Sequence, residues 1–290
     1  MVFALCGGDA RTVRLAGLLV RDGHTVRTWA LEDAPACAGV EQCASARECC
    51  AGAGCVVLPM PASTKRGLLN APYSSSPRCL GEVFASLDAG AVVLTGTVTK
   101  ELNALAEGAG AELHGYGSTD VFRAANSMAT AEGALAVLLR ETDEVLCGKR
   151  AVIIGAGAIT RALAPRLSAL GVRTTVASRD TSKRAWYAAM GLDTVDTSLL
   201  ADAIADAHIV INTAPSLVLT ASRLTELPEG ALVLDLASAP GGTDFDAARA
   251  FGIKAVTAPG LPGKYAPQTS AEAVRDAVYE ILEDERLGKS

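Results

Sequence analysis

The sequence is poor in aromatic residues, which make up only 4% of its 290 positions. Half of the residues are nevertheless hydrophobic, and small aliphatic side chains dominate them. This composition excludes a disordered chain, and it is more typical of layered α/β folds than of an all-β sandwich. The length is sufficient for two domains of ordinary size, each with a core of its own.

Long apolar runs and an excess of basic residues are also absent. No apolar run reaches the roughly 18–20 residues that cross a bilayer. The stretch from Met1 to Asp9 lacks the basic region of a signal peptide. The formal net charge of −6 argues against a surface for nucleic acid or anionic membranes. We therefore expect a protein of the cytoplasm.

The eight cysteines include no Cys-x-x-Cys pair. Four of them recur every six residues, at Cys37, Cys43, Cys49 and Cys55. This spacing does not gather side chains on one helix face, and no histidine lies nearby, so it favours reduced, packing cysteines over a metal site. A nucleophile elbow, a zinc motif, a P-loop and a paired-carboxylate motif are missing too. We predict no metal ligands.

What the sequence does contain is a strand, a glycine turn and a helix in direct succession. The apolar run Ala151 to Ile154 leads into Gly155-Ala-Gly157, and an apolar-rich helix follows. This order is typical of dinucleotide-binding domains, in which glycines permit a tight turn and a close approach to the pyrophosphate at the helix N-terminus. Thr160 replaces the usual third Gly or Ala, so we expect slightly looser packing there. The predicted cofactor contacts are Gly155, Gly157, Ala158 and Ile159.

The end of the next predicted strand, Val172 to Ala177, indicates the type of cofactor. An NAD site usually has an acidic residue there, about 20 residues beyond the glycines. Here the chain continues with Ser178 and Arg179, and a hydroxyl with a guanidinium suits a 2′-phosphate. Asp180 comes one place later, where we expect it to cap the following helix. The sequence favours NADP over NAD, with Ser178, Arg179 and Lys183 as ligands.

Two later strands of this domain end in polar residues, which we expect to line the nicotinamide side of the site. Asn212, Thr213 and Pro215 follow the first of these strands, and Ser238 ends the second. His208 begins a strand rather than ending one. It therefore lies at the wrong edge of the sheet for catalysis.

A second βαβ pattern opens the chain. Strands are predicted at Val2 to Cys6 and at Thr25 to Trp29, on either side of a helix. The intervening turn lacks spaced glycines, and Asp9 as an N-cap would repel a phosphate. Arg11 in the first helical turn would instead suit a carboxylate, the alternative being a solvated side chain. Ser63 and Thr64 follow another strand, where open α/β sheets bind ligands.

A polar stretch from Asn126 leads into a predicted helix that links two domains. Thr130 and Glu132 would then lie beside the cleft between them. Glu132 is a candidate for an acid or base, and the alternative is that it complements the dipole of the helix N-terminus. Elsewhere, Glu32 to Gly54 is predicted as a loop with a short helix, and Pro259 to Thr269 as a rigid loop.

These elements predict an α/β fold with two doubly wound Rossmann-like domains and a cleft between them. The first domain, residues 1–125, would bind the substrate and be completed by a C-terminal helix at 268–290. The second, residues 126–267, would bind NADP and include the linking helix. The residues by themselves indicate hydride transfer on a small anionic substrate.

Six blocks of the sequence, in order and over nearly its full length, resemble the dipicolinate synthase A-subunit family. The blocks are Gly7-Gly-Asp-Ala-Arg11, Leu58-Pro-Met-Pro-Ala-Ser-Thr64, Asn126-Ser…Thr-Ala-Glu-Gly133, Ile211-Asn-Thr-Ala-Pro-Ser216, Leu234-Asp-Leu-Ala-Ser…Asp-Phe245 and Ala258-Pro-Gly-Leu-Pro-Gly…Pro-Gln-Thr269. The resemblance implies a two-domain fold similar to that of formate/glycerate dehydrogenases. It also implies an NADP-dependent oxidoreductase of endospore-forming bacteria, active in the mother cell during sporulation.

The substrate that the resemblance implies is dihydrodipicolinate, oxidised at its ring to pyridine-2,6-dicarboxylate (dipicolinate). Because aromatisation drives the loss of a hydride and a proton, the protein would mainly orient two carboxylates and exclude water. The expected anchors are Arg11, Ser63, Thr64 and Thr130, with Glu132 as the candidate proton acceptor. The implied partner is a flavoprotein-like B subunit of dipicolinate synthase, and we expect a homo-oligomer.

Two alternatives remain open. One is another NADP-dependent dehydrogenase or reductase of a small carboxylate on the same scaffold. The other is a non-catalytic NADP-binding subunit.

Overall fold

The computed structural model describes residues 1–63, 67–238 and 241–288, without the side chains of residues 286–288. The chain divides into two units, Met1–Asn126 with Ala266–Ser290 and Ser127–Tyr265. Each is built on one six-stranded sheet, which confirms the predicted α/β class with two doubly wound domains. Among the described residues, none of the helices has both the length and the apolar character of a membrane span.

The first unit has a parallel sheet with helices on both faces. Its strands are β1 (Val2–Cys6), β2 (Thr25–Trp29), β3 (Val40–Gln42), β4 (Cys55–Val57), β5 (Val92–Thr95) and β6 (Glu112–Gly115). Its helices are α1 (Ala10–Arg21), α2 (Ala46–Cys50), α3 (Leu80–Phe84), α4 (Lys100–Ala109), the start of α5 (Asp120–Glu141) and α12 (Pro267–Gly288). The strand order is β3-β2-β1-β4-β5-β6. The order therefore reverses between β1 and β4, the switch point at which open α/β sheets bind ligands.

Alternate side chains of β1 pack on opposite faces of this sheet. Phe3 and Leu5 belong to a core that includes α1 and α12, with Ala277 and Val278 fully buried. Ala4 and Cys6 point to the other face, toward a core shared with α2, α3 and α4. Burial on both faces explains why such a strand is a continuous apolar run.

The second unit repeats this topology. Its strands are β7 (Arg150–Ile154), β8 (Arg173–Ala177), β9 (Asp193–Val195), β10 (Ile209–Asn212), β11 (Leu232–Asp235) and β12 (Lys254–Thr257). Its helices are the remainder of α5, α6 (Ala158–Ala169), α7 (Thr181–Ala189), α8 (Leu200–Ile204), α9 (Ala221–Leu224), α10 (Phe245–Ala250) and α11 (Leu261–Tyr265). The order β12-β11-β10-β7-β8-β9 places the switch point between β7 and β10. Separate apolar cores cover the two faces of the sheet.

Two predicted loops contain regular structure, and those predictions are wrong in part. The stretch from Glu32 to Gly54 includes the edge strand β3 as well as the short helix α2. Three residues are too few for a recognisable strand period. The Pro/Gly-rich stretch from Pro259 contains α11, and α12 already begins at Pro267. Proline is tolerated there because the first turn of a helix needs no N–H donor.

All eight cysteines carry free thiols. Cys6, Cys43, Cys49 and Cys50 are buried in one apolar core of the first unit. The Sγ atoms of Cys6 and Cys50 are 3.9 Å apart. These thiols fill core volume as small apolar side chains do.

Candidate functional site

The glycine turn follows β7, beside the switch point of the second sheet. Gly155 has φ +107°, a backbone conformation that favours glycine. A Cβ on Gly155 would lie 2.3 Å from Oγ1 of Thr213, the residue that follows β10. The fold itself therefore requires glycine at this position.

Gly157 is a different case, because nothing in the described part of the chain requires its lack of a side chain. It is the N-cap of α6 with φ −91°, which any residue can adopt. No described atom lies within 4 Å of the place where its Cβ would be. No side chain caps α6 either, so no capping side chain occupies the N–H groups of its first turn, which includes Ala158 and Ile159. Free N–H groups and the helix dipole make such a place suitable for a phosphate.

Thr160 fits the turn through its hydroxyl group. The residue is fully buried, and its Oγ1 donates to the carbonyl of Gly155 at 2.8 Å. Oγ1 of Thr213 lies 3.4 Å away and donates to the carbonyl of Ile154. These hydrogen bonds tie the first turn of α6 and the loop after β10 to the glycine turn. The slightly looser packing expected at Thr160 stays a prediction.

We expect Thr160→Val and Thr160→Ser to differ in cofactor affinity. Valine keeps the shape but cannot donate to Gly155, whereas serine keeps the hydroxyl and loses only a methyl group. Each change should cost about 1 kcal/mol of unfolding free energy in urea. Only the valine variant should bind the dinucleotide more weakly, by about 3- to 10-fold in a fluorescence titration. Equal affinities in the two variants would mean that the hydroxyl does not shape the site.

The loop after β8 has one cationic side chain available to a ligand. Arg179 is exposed, and no described residue bonds its guanidinium. Asp180 caps α7, as predicted, by accepting from the Lys183 amide at 3.1 Å. A hydrogen bond from the Ser182 hydroxyl, with the Lys183 amide, lowers the pKa of Asp180 to about 2. The carboxylate is thus ionised, and its hydrogen bonds are made to the first turn of α7.

The other predicted ligands of this loop are less available. Ser178 is buried, and its hydroxyl accepts from the Asp180 amide at 3.2 Å. Lys183 is exposed, with its Nζ 3.4 Å from Asp180. Arg184 donates a hydrogen bond to the carboxylate of Asp196 at 2.7 Å and so links α7 to the residue that follows β9.

Asn212 organises two loops through its side-chain amide, and its contact with the cofactor stays a prediction. The residue is fully buried, and its Nδ2 donates to Asp235 and to the Ala214 carbonyl, each at 3.0 Å. Asp235, also buried, accepts from the amides of Ala237 and Gly242 at 2.9 Å. A Cβ on Gly242 would lie 2.1 Å from Nδ2 of Asn212. Sequence reasoning missed Asp235, although a carboxylate at the end of an apolar strand is a usable signal.

The other residues predicted for the nicotinamide side lie near the Asn212–Asp235 pair in sequence, at the carboxyl edge of the second sheet. Thr213 is half-buried, and Pro215 and Ser238 are exposed. Thr213 and Pro215 follow β10, which is the neighbour of β7 in the sheet, and Ser238 follows β11, the next strand. Their position at the carboxyl edge agrees with a place on the nicotinamide side, which stays a prediction.

In the first unit, Arg11 bridges the two loops of the switch point. Its guanidinium donates to both carboxylate oxygens of Asp9, with Nη2 2.8 Å from Oδ2, and also to the carbonyl of Met60 after β4. Asp9 is the N-cap of α1, as predicted. Nη1 of Arg11 has no hydrogen-bond partner within the described ranges, so the fork keeps donors for an incoming carboxylate.

The surroundings of Arg11 are mostly buried. Burial opposes its charge, but the ion pair with Asp9 outweighs burial and raises the pKa of Arg11 above its ordinary value. The Tyr116 hydroxyl lies nearby and donates to the Leu58 carbonyl at 3.1 Å. A cavity of about 20 Å³ next to these residues has room for one water molecule. A six-membered ring would have to bind outside it.

The remaining candidates are not brought to one place within a unit. Ser63 follows β4 in the first unit and forms a bridge with Leu69, whereas Thr64 lies outside the described residues. Thr130 is buried in α5, within the second unit. Glu132 is 63% exposed and 3.4 Å from Arg166 of α6. Because α5 begins at Asp120, Glu132 is in mid-helix, and the alternative of a first-turn glutamate is wrong.

Comparison with known proteins identifies the family. The A subunit of dipicolinate synthase from Bacillus subtilis (strain 168) is 32% identical over 228 residues, which are 78% of this chain and 77% of that protein. The chain belongs to the dipicolinate synthase A-subunit family. The model of the family's N-terminal domain matches residues 2–116. This family assignment confirms the resemblance inferred from the six sequence blocks.

Solved structures that are similar to this chain support the family assignment. The crystal structure of the dipicolinate synthase A subunit from Bacillus halodurans has a TM-score of 0.88 and 29% identity, with 97% of each chain covered. A transhydrogenase from Sinorhizobium meliloti, 18% identical with a TM-score of 0.72 and 98% and 93% coverage, shares the fold alone. Residues 126–258 match the NAD-binding domain of S-adenosyl-L-homocysteine hydrolase. The second unit of this member of the dipicolinate synthase A-subunit family is therefore a nicotinamide-dinucleotide-binding domain.

Proposed function

We propose that this chain oxidises dihydrodipicolinate to dipicolinate with NADP. Membership of the dipicolinate synthase A-subunit family carries the proposal, because the family's relatives bear the name of that product. The glycine turn supports it with a place for the dinucleotide phosphates. Arg11 supports it with a partly unoccupied guanidinium for a carboxylate.

The choice of NADP rests on the loop after β8. Arg179 is exposed and has no partner among the described side chains, so it is available to a 2′-phosphate. Asp180 caps α7 and therefore does not present its carboxylate to a ribose 2′-hydroxyl as an NAD-type acid does. Lys183 adds a second positive charge nearby.

The reaction needs little acid–base chemistry from the chain. When bound, the oxidised nicotinamide accepts the hydride, and the substrate releases a proton as its ring becomes aromatic. Arg11 would hold one substrate carboxylate while Asp9 keeps the guanidinium fork in a fixed plane. Ser63, Thr64 and Thr130 are further proposed anchors. Glu132 stays a predicted proton acceptor, although its exposure and its ion pair with Arg166 give that role no support.

We expect Arg11→Ala to raise the KM for dihydrodipicolinate by about 10- to 100-fold, because a charge-assisted hydrogen bond contributes about 1.5–3 kcal/mol. Arg14→Ala is the matched control, since Arg14 lies on the same helix, is exposed, and carries the same charge. Steady-state assays at saturating NADP measure both. An Arg11→Ala enzyme with unchanged KM and turnover would refute the anchoring role.

The family also implies a second polypeptide in the active complex. Because the relatives are named as the A component of dipicolinate synthase, we propose a B component as the partner of this chain. We further propose that the reaction serves sporulation in the mother-cell cytoplasm.

The proposal is tested by supplying freshly made dihydrodipicolinate and NADP with and without a candidate B subunit. Ultraviolet absorbance then follows dipicolinate. Product in either condition above the enzyme-free rate supports the proposal. Product only with the B subunit would show that the chain depends on its partner, and no product in either would refute the function while leaving a cofactor-binding role open.

A further inference from the structure

Three side chains that are far apart in the sequence meet at one edge of the first unit's sheet. Glu112 and His114 lie on the edge strand β6, and their two-residue spacing puts them on one face of it. Glu285 lies near the end of α12. One carboxylate oxygen from each glutamate and one imidazole nitrogen all lie within 4.8 Å of one another.

The imidazole of His114 has an unusual environment. Its Nε2 is buried, and it has no hydrogen-bond partner among the residues that the structure describes. Oε1 of Glu285 lies 3.4 Å away, but without the alignment of a hydrogen bond. Two ligands bound at about 2.1 Å to one tetrahedral ion are themselves about 3.4 Å apart. The separation of the two atoms is therefore compatible with two ligands of one shared cation.

The position of Glu285 on α12 explains how its carboxylate reaches the strand. Val274, Val278 and Leu282 form the buried stripe of the helix. Glu285 follows Leu282 by three residues, so it continues the same face. Its side chain is only 26% exposed. A carboxylate therefore lies on the face of α12 that is otherwise apolar.

We propose that Glu112, His114 and Glu285 form a binding site for a borderline divalent cation such as Zn²⁺. One imidazole nitrogen with two carboxylates suits Zn²⁺, whereas Mg²⁺ and Ca²⁺ prefer ligand sets made only of oxygen. Water would complete the coordination. The ion would join the last turns of α12 to strand β6 and so hold the C-terminal helix on the first unit.

Calorimetric titration of Zn²⁺ into the full chain, after treatment with a chelator, tests the site. Loss of an outer partner of a metal ligand already costs about 10- to 100-fold in affinity. His114→Gln and Glu285→Gln should therefore each weaken binding at least about 10-fold, and Glu112→Gln should do the same. His208→Gln is the matched control, because His208 is an exposed histidine of the second unit, and its affinity should be unchanged.

A second group of possible ligands, which includes a thiol, could bind the Zn²⁺ instead. Glu41, Cys43 and Glu48 also place possible ligand atoms within 4.8 Å of one another, so Cys43→Ser is included. The Co²⁺-loaded protein should show no thiolate-to-cobalt charge-transfer band. Loss of binding in Cys43→Ser but not in His114→Gln would overturn the proposal. So would a wild-type Kd weaker than about 0.1 mM or equal affinities in all variants. Circular dichroism confirms that each variant is folded.

Discussion

A serine at position 157 should weaken dinucleotide binding by about 10- to 100-fold and leave the protein as stable as before. The hydroxyl of an N-cap serine accepts from the first-turn amides of α6, which the phosphate would otherwise contact. Hydrogen bonds to charged groups contribute about 1.5–3 kcal/mol, which corresponds to the expected loss of affinity. The free energy of unfolding should stay the same or rise by a few tenths of a kcal/mol, because serine is a good N-cap.

Gly108→Ser provides the control for Gly157→Ser. Gly108 is an exposed glycine of α4, and no neighbouring atom of the described residues lies within 4 Å of the place where its Cβ would be. Its replacement should change neither cofactor affinity nor the fold. Titrations of NADP into both variants, with urea unfolding in parallel, separate binding from stability. Unchanged affinity in Gly157→Ser would mean that the phosphates do not lie at the α6 N-terminus.

Replacement of Arg179 by alanine should reduce the affinity for NADP by about 10- to 100-fold and the affinity for NAD by less than about threefold. The two cofactors differ only by the 2′-phosphate, so the difference between the two losses isolates its contact. Direct titration of each cofactor gives both values.

Arg173→Ala is the matched control for Arg179→Ala. Arg173 is also exposed, but it begins β8 and so lies at the opposite edge of the sheet. It should bind both cofactors like the parent protein. Equal losses for NADP and NAD in Arg179→Ala would contradict the 2′-phosphate assignment and favour a contact with the shared part of the dinucleotide.

Sequence patterns predicted this fold well because its strands are apolar on both faces. Runs such as Val2 to Cys6 and Ala151 to Ile154 are short, continuous and bounded by glycine, which is typical of central parallel strands. The edge strand β3 was missed because its residues Val40–Gln42 are mostly exposed and polar. The prolines of α11 and α12 led to the incorrect prediction of a loop, because they occupy the first turns of these helices.

The site was less predictable, because its side chains act through contacts between distant loops. The glycine turn follows from local sequence, but the bond from Asn212 to Asp235 depends on the pairing of β10 with β11. That pairing gives Asn212 a part in shaping two loops which its local sequence does not indicate. Thr160 looked like a defect in the fingerprint, and its hydroxyl proved to serve the turn only because Gly155 lies next to it in space. Glu132 was misplaced in its helix because the start of α5 lies at Asp120.

The most direct test of the proposed function is a single-turnover measurement with the full chain in excess over freshly made dihydrodipicolinate. NADP is supplied at saturation, together with the B subunit if the steady-state assay requires it. The proposed function predicts that NADPH and dipicolinate form together, at the same rate and in equal amounts, because one hydride leaves the ring for each pyridine formed. Dipicolinate that forms equally fast without NADP, or a reaction that yields no NADPH, would contradict it.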